Sequence, residues 1–246
     1  MPTTATVHIT LRVLRELLRD IPTMVLFTIS PTFVMVLTSG ILRNHPDTWN
    51  RVGLITLGLF PTAPTFLFAA FAIQRERFRG TLEHLMTTPA HRVDILLGYI
   101  FAFTLPAVVQ IVMTVGVTYG FLDLSTAAPV WAVTLMALLS SVLGVAIGLF
   151  SANLAHNELQ LTKVLAAMAA PHLMLSGLFR PPDQMVGWLH ALSTIAPWRY
   201  AVSAVSELQN HTRPTAALWS NLGVTVGIIG LLSAVSLGTV LKRRSA

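Results

Sequence analysis

His172 and Ser176 stand four residues apart inside a long apolar run, a spacing that puts an imidazole and a hydroxyl on one face of a helix. They are the residue types of a base and a nucleophile. The rest of a hydrolase is missing: no acidic residue lies near to orient the imidazole, and Ser176 lacks the Gly-x-Ser-x-Gly setting of a nucleophile elbow. His172 is also the one ionisable residue placed well inside an apolar run, where it could relay protons in an ion-coupled secondary transporter. The cost of burying such a group favours a packed, hydrogen-bonded imidazole instead. The eight histidines are scattered without a His-x-x-x-His pair, and cysteine is absent, so no catalytic residue and no metal site is assigned. No Gly-x-x-x-x-Gly-Lys-Ser/Thr loop is present to cradle phosphates. If ATP drives this protein, another polypeptide binds it.

The remaining residues with chemistry to offer are charges, and they are grouped. Glu76, Arg77, Arg79 and Glu83 fall within eight residues, directly between two apolar runs. Gly80 allows the preceding helix to break. Leu82, Leu85 and Met86 then share a face, while Arg79 and Glu83 form an i, i+4 pair on another, the pattern of a two-turn amphipathic helix. Thr88 before Pro89 ends it, because proline disfavours helical geometry in its predecessor yet suits the first turn of a following helix. Physics alone leaves two readings open: a joint that receives a partner, or a charged loop that only sets topology.

These charges are positioned by a chain that reads as an integral membrane protein. It is 54% hydrophobic and 11% charged, where a soluble domain carries about 25% charged residues, and its mean hydropathy is +0.69. The sequence predicts an all-α, polytopic protein with six transmembrane helices, near residues 22–42, 52–73, 93–122, 129–154, 159–178 and 218–241. Pro61 and Pro64 are expected to bend the second, and Pro106 allows a kink in the third. Continuous apolar runs without alternation argue against a membrane barrel. Ahead of the first span, Val7, Leu11, Leu14 and Leu18 recur at helical spacing with Arg12, Arg15 and Arg19 on other sides, which fits an N-terminal interfacial amphipathic helix over 1–21. Between the fifth and sixth spans, residues 179–214 read as an outer helical hairpin. One stripe is Met185, Trp188, Leu189 and Leu192, and a second is Trp198, Ala201, Val202, Val205 and Leu208. The pair is either re-entrant or packed on the outer ends of the spans, with Trp188, Trp198 and Tyr200 suited to the headgroup level.

Six spans put both termini on one side, which then collects 11 of the 16 basic residues; the positive-inside rule makes that side cytoplasmic. Residues 74–92 fall on the same side. No acidic residue lies deep in a predicted span, which suits a hydrophobic or amphipathic cargo better than an ion. Phe66, Phe68, Phe71, Gln110, His172 and Met174 are the residues that could line a path, although packing explains each of them as well.

The stretch "RERFRGTLEHLMTTPAHRVDILLG" resembles the signature of the type 2 ABC exporter permeases, in which a charged segment, a Gly-Thr-Leu-Glu element and a Thr-Pro turn precede an Ile-Leu-Gly run. The matching residues are Arg75, Glu76, Arg77, Gly80, Thr81, Leu82, Glu83, Leu85, Thr88, Pro89, Arg92, Ile95, Leu96 and Gly98. The basic N-terminal helix, the six spans and the late "SGLFRPPDQMVGWLHALSTIAPWRYAV" are similar to the same family. Tyr99 departs from it, standing where a lysine often follows the glycine, and Gly187 stands where a proline is frequent.

The resemblance implies one transmembrane permease domain over 1–246, with residues 74–92 as the coupling segment. The partners it implies are a separate ABC ATP-binding subunit, which would hold ATP and Mg, and a second permease copy or homologue; this chain would bind no cofactor and no nucleic acid. It implies export through a bacterial plasma membrane, with drug or antibiotic efflux ahead of lipid or polysaccharide export.

Overall fold

The computed structural model describes residues 4–78, 91–178, 184–210 and 215–242, and among them every regular element is helical, with no strand. Helix α1 (Thr4–Arg19) is followed after one residue by α2 (Ile21–Leu42). Asp20 makes that corner: its carboxylate accepts hydrogen bonds from the Thr23 amide at 3.3 Å and the Thr23 hydroxyl at 2.7 Å, capping α2, and Pro22 occupies the first turn, where no amide donor is needed. Helices α3 (Pro46–Leu59) and α4 (Thr62–Phe78) continue one another across a break at Phe60 and Pro61, where proline removes a backbone donor. Next come α5 (Arg92–Phe121), which runs unbroken through Pro106, and α6 (Val130–Leu154). The chain then forms α7 (Glu158–Leu175), the short α8 (Gly187–Ser193), α9 (Pro197–Asn210) and α10 (Ala216–Lys242).

Five segments among the described residues are long and apolar enough to cross a membrane: Ile21–Leu42, Pro46–Phe78, Val93–Phe121, Val130–Leu154 and Ala216–Ser236. The second is longer than expected because the polar residues after Arg43 already belong to its helix. The segment expected as a fifth span is helical, but α7 has only 18 residues and carries Glu158, Gln160, Lys163 and His172, so it falls short of the other five in apolar character.

The centre of the bundle is α4 packed on α6, and small residues let the two backbones meet. A side chain at Gly144 would come within 2.5 Å of the Thr62 carbonyl, and one at Gly148 within 2.5 Å of the Phe66 carbonyl. Around this pair α5 adds Tyr99, Ala102 and Phe103 to one core cluster, and α9 adds Ala204, Val205 and Leu208 to another. The second expected hairpin stripe, Trp198 to Leu208, is therefore the face by which α9 packs on its neighbours. Trp198 is consequently buried rather than placed at a headgroup surface, whereas Trp188 is 65% exposed.

Helix α1 lies on α5 by a face other than the stripe read from the sequence. Thr6, Ile9, Thr10 and Val13 are buried, while Val7, Leu11 and Leu18 point outward. The helix is apolar on two sides. Packing used the side that carries the small threonines, because these allow closer approach to α5: a side chain at Gly98 would meet Ile9 Cγ2 at 2.5 Å.

Candidate functional site

The charged residues that sequence reading singled out converge where α1 crosses the ends of α4 and α5. Arg12 Nη2 donates to both carboxylate oxygens of Glu76, at 2.8 and 2.7 Å, and the hydroxyl of Tyr99 donates to the same carboxylate. Glu76 and Tyr99 are buried, with 5% and 2% exposure. A carboxylate so far from water is tolerable only when paired and hydrogen-bonded, and here donors from two other helices, α1 and α5, satisfy it. Burial opposes the charge on Arg12, but the hydrogen bond and the Coulombic pull of Glu76 outweigh it and hold the guanidinium above its ordinary value.

A second lock lies one turn along α1. Thr6 Oγ1 donates to Asp94 Oδ1 at 2.7 Å, and Thr10 Oγ1 lies 3.3 Å from the Gly98 carbonyl. Asp94 Oδ2 also accepts from the His91 amide at 3.2 Å, so one carboxylate both holds α1 and fixes the start of α5. On the far side of α4, Arg77 donates to the Ala152 carbonyl at 2.9 Å and to the Asn153 side-chain oxygen, tying α4 to the end of α6. Arg75 is more exposed and lies 3.9 Å from Asp20 at the α1–α2 corner.

Of the expected coupling residues, then, Arg75, Glu76 and Arg77 close α4, and Arg92 opens α5. Gly80, Thr81, Leu82, Glu83, Leu85, Thr88 and Pro89 lie outside the described residues. Of the expected interfacial arginines, Arg12 turns inward to Glu76, while Arg15 and Arg19 are exposed. Thr6, Thr10, Asp94 and Asn153 were missed. The Thr6–Thr10 pair at i, i+4 and Asp94 three residues after His91 were the available signals, but nothing in the sequence pairs positions 88 residues apart. Tyr99, read only as a departure from a family pattern, proves to be a direct partner of Glu76.

The residues considered for a path are not gathered into one cavity. Phe68 and Phe71 line a cleft of about 500 Å³ between α1, α2 and α4, whose charged end includes Arg75 and Glu76. Gln110 is fully buried in α5, and neither its amide oxygen nor its nitrogen has a partner among the described residues. Phe66 is buried in the core, and Met174 is exposed. His172 Nδ1 is 2.7 Å from the Met168 carbonyl, and its ring meets Trp198 edge-on at 5.8 Å. Ser176 bonds the Leu173 carbonyl at 2.8 Å. Each of these two is thus satisfied by its own helix, which is not the geometry of a nucleophile and its base. No group of three or more potential metal ligands occurs among the described residues.

Helix α1 is thus held by hydrogen bonds to the ends of two long apolar helices, α4 and α5, and α4 in turn to α6. Residues 4–210 match the family model described as "ABC-2 type transporter". Two Escherichia coli proteins, from strains K12 and O157:H7, both named "Probable multidrug ABC transporter permease YbhR", are 22% identical to this chain over 168 residues. That match takes in 68% of this chain but only 45% of each relative, so the chain spans less than half the length of these curated relatives. With a family match over most of its length and helices fit to cross a bilayer, the chain belongs to the ABC-2 type transporter family, as an integral membrane subunit.

Proposed function

We propose that this chain is the permease subunit of an ATP-driven exporter, carrying hydrophobic or amphipathic molecules, drugs or antibiotics foremost, out of a bacterial cell. In this reading α7 is a sixth crossing, which places both termini and residues 74–92 in the cytoplasm. A separate ATP-binding subunit holds ATP and Mg and docks on residues 74–92, and two permease copies or homologues enclose the path. Helix α1 rests on the inner surface, with Val7, Leu11 and Leu18 toward lipid.

The observation that carries the reading is the clamp between α1 and both helices flanking the docking stretch. Glu76 lies near the start of that segment and Asp94 two residues past its end, and each is bonded to α1. A push delivered between them moves α1, α4 and α5 together, and Arg77 passes it to α6. Buried, hydrogen-bonded contacts suit this role because they transmit displacement instead of absorbing it.

The test uses the permease co-assembled with its ATPase in lipid vesicles. Gly80→Leu and Glu83→Gln, made separately, are expected to leave assembly intact while uncoupling ATP hydrolysis from efflux of an amphipathic dye. Wild-type coupling in both variants would overturn the docking assignment.

A further inference from the structure

A groove runs along the side of the molecule between α2 and α4. Its deeper part, about 300 Å³, is lined by apolar groups, among them Leu26, Val34, Phe60, Ala63 and Leu67, with Ser30 the only polar side chain. Phe68 lines both this part and the 500 Å³ cleft at the end of the helices, so the two adjoin at that ring. The cleft ends in charge of both signs: Arg19 and Arg75, with Glu16 and Asp20.

Three features together select an occupant. From Ala63 to Arg75 the groove follows α4 for about 18 Å at 1.5 Å per residue. That compares with about 15 Å for half of a hydrocarbon layer roughly 30 Å thick, so the groove is one leaflet deep. Its apolar part lies toward the bilayer centre and its charges lie at the ends of the spans, the order in which a lipid presents tail and head. The lining carries two cations, Arg19 and Arg75, and three anions; Glu76 is buried and already paired with Arg12, which leaves Glu16 and Asp20 facing the two arginines. Arg75 and Asp20 sit 3.9 Å apart with side chains 57% and 42% exposed. So exposed a pair holds its partners weakly and can exchange them for ligand groups.

We propose that the α2–α4 groove is a binding site for one zwitterionic phospholipid of the leaflet on the α1 side. Its phosphate lies against Arg75 and Arg19, its ammonium against Asp20 and Glu16, and an acyl chain passes Phe68 to end near Ala63 and Val34. The bound lipid fills the space between α2 and α4, which touch each other little. The site requires only that the chain spans a membrane, and it stands or falls separately from the identity of the exported cargo.

The experiment uses the full chain in vesicles of phosphatidylglycerol, which lacks the ammonium, carrying a trace of phosphatidylethanolamine with a photoactivatable diazirine in mid-chain, followed by peptide mapping. Labelling is expected on the α2 peptide around Ser30–Val34 and on the α4 peptide around Phe60–Leu67. Arg75→Gln should weaken it about threefold to fivefold, the scale of one exposed ionic contact. Ala63→Phe, which blocks the apolar end and leaves the charges untouched, should suppress it as well, with thermal unfolding of both variants confirming the fold. Unlabelled phosphatidylethanolamine should compete, and diacylglycerol should not. Labelling that ignores the headgroup, or survives both substitutions, would overturn the proposal, as would protection only by a long-chain alkylammonium, which would assign the groove to cationic cargo.

Discussion

The two ends of the helical bundle are held together by different physics. Where α1 crosses α4 and α5, the contacts are ionic and directional: Arg12 to Glu76, Tyr99 to Glu76, Thr6 to Asp94. At the opposite end, α3 and α9 meet by shape. Gly58 faces Val205 so closely that a side chain there would reach its Cγ2 at 2.4 Å. Neutral hydrogen bonds join helices at that end, Trp49 Nε1 to the Leu122 carbonyl at 3.0 Å and the Ser125 amide to Asn50 Oδ1 at 3.0 Å, and the carboxylate of Glu207 accepts from the nearby Thr215 hydroxyl at 2.9 Å. Apolar packing tolerates sliding and repacking so long as volume is conserved, whereas a buried carboxylate tolerates neither loss of its cation nor a shift of its donors. The proposed function, in which a push at the α1 end moves α1, α4 and α5 together, would use the second kind of contact there.

That contrast can be broken from either side. The largest effect is expected from Arg12→Met, which strips the cation from a carboxylate 5% exposed and should cost about 3 kcal/mol in unfolding measured in mild detergent. A loss under about 1 kcal/mol would mean that the carboxylate finds water, and that this end is no more rigid than the other. Gly58→Val should cost about 2 kcal/mol by overpacking, and a second change, Val205→Ala, should recover most of it. No such volume compensation is expected for Arg12. Tyr99→Phe removes one hydrogen bond to a charged acceptor and should cost about 1.5 kcal/mol, less than the loss of Arg12.

The smallest effect concerns pH at the corner between α1 and α2. The Thr23 hydroxyl, then its amide, and more weakly Arg75 hold the Asp20 carboxyl below its ordinary value of 3.8. A carboxyl depressed on folding contributes stability that is complete above the ordinary value and is lost as pH falls through the lower, folded one. Hydrogen exchange at the Ile21–Met24 amides should therefore carry no contribution from Asp20 titration between pH 7 and pH 5, once corrected for the intrinsic rate. Protection should fall only below about pH 4. A fall near pH 5 would show that the cap is not formed.

Much of the helix layout was legible without coordinates because a bilayer-spanning run announces itself locally. Four of the expected spans begin and end within two residues of a helix, and the break at Pro61 followed from the missing amide donor. The second span began six residues early because Pro46 and Asp47 start a helix as readily as they fill a loop. The packing face of α9 was legible too, since its apolar stripe has only one side. The face by which α1 meets α5 was not legible: beside the stripe read as a membrane face the helix carries a second one, and its small threonines over Gly98 weaken the apolar periodicity that would reveal it.

The sequence by itself determined that this is a helical membrane protein with no phosphate-binding loop, and that charge concentrates in one break between spans, because those properties depend on composition and on residues close together in the chain. Tertiary structure alone decided that Arg12, Glu76 and Tyr99 meet, that Thr6 finds Asp94, and that α2 and α4 leave a groove between them. Those pairings join residues 23 to 88 positions apart, and an electrostatic or van der Waals contact is set by distance in space, which helix crossing geometry fixes and local periodicity does not.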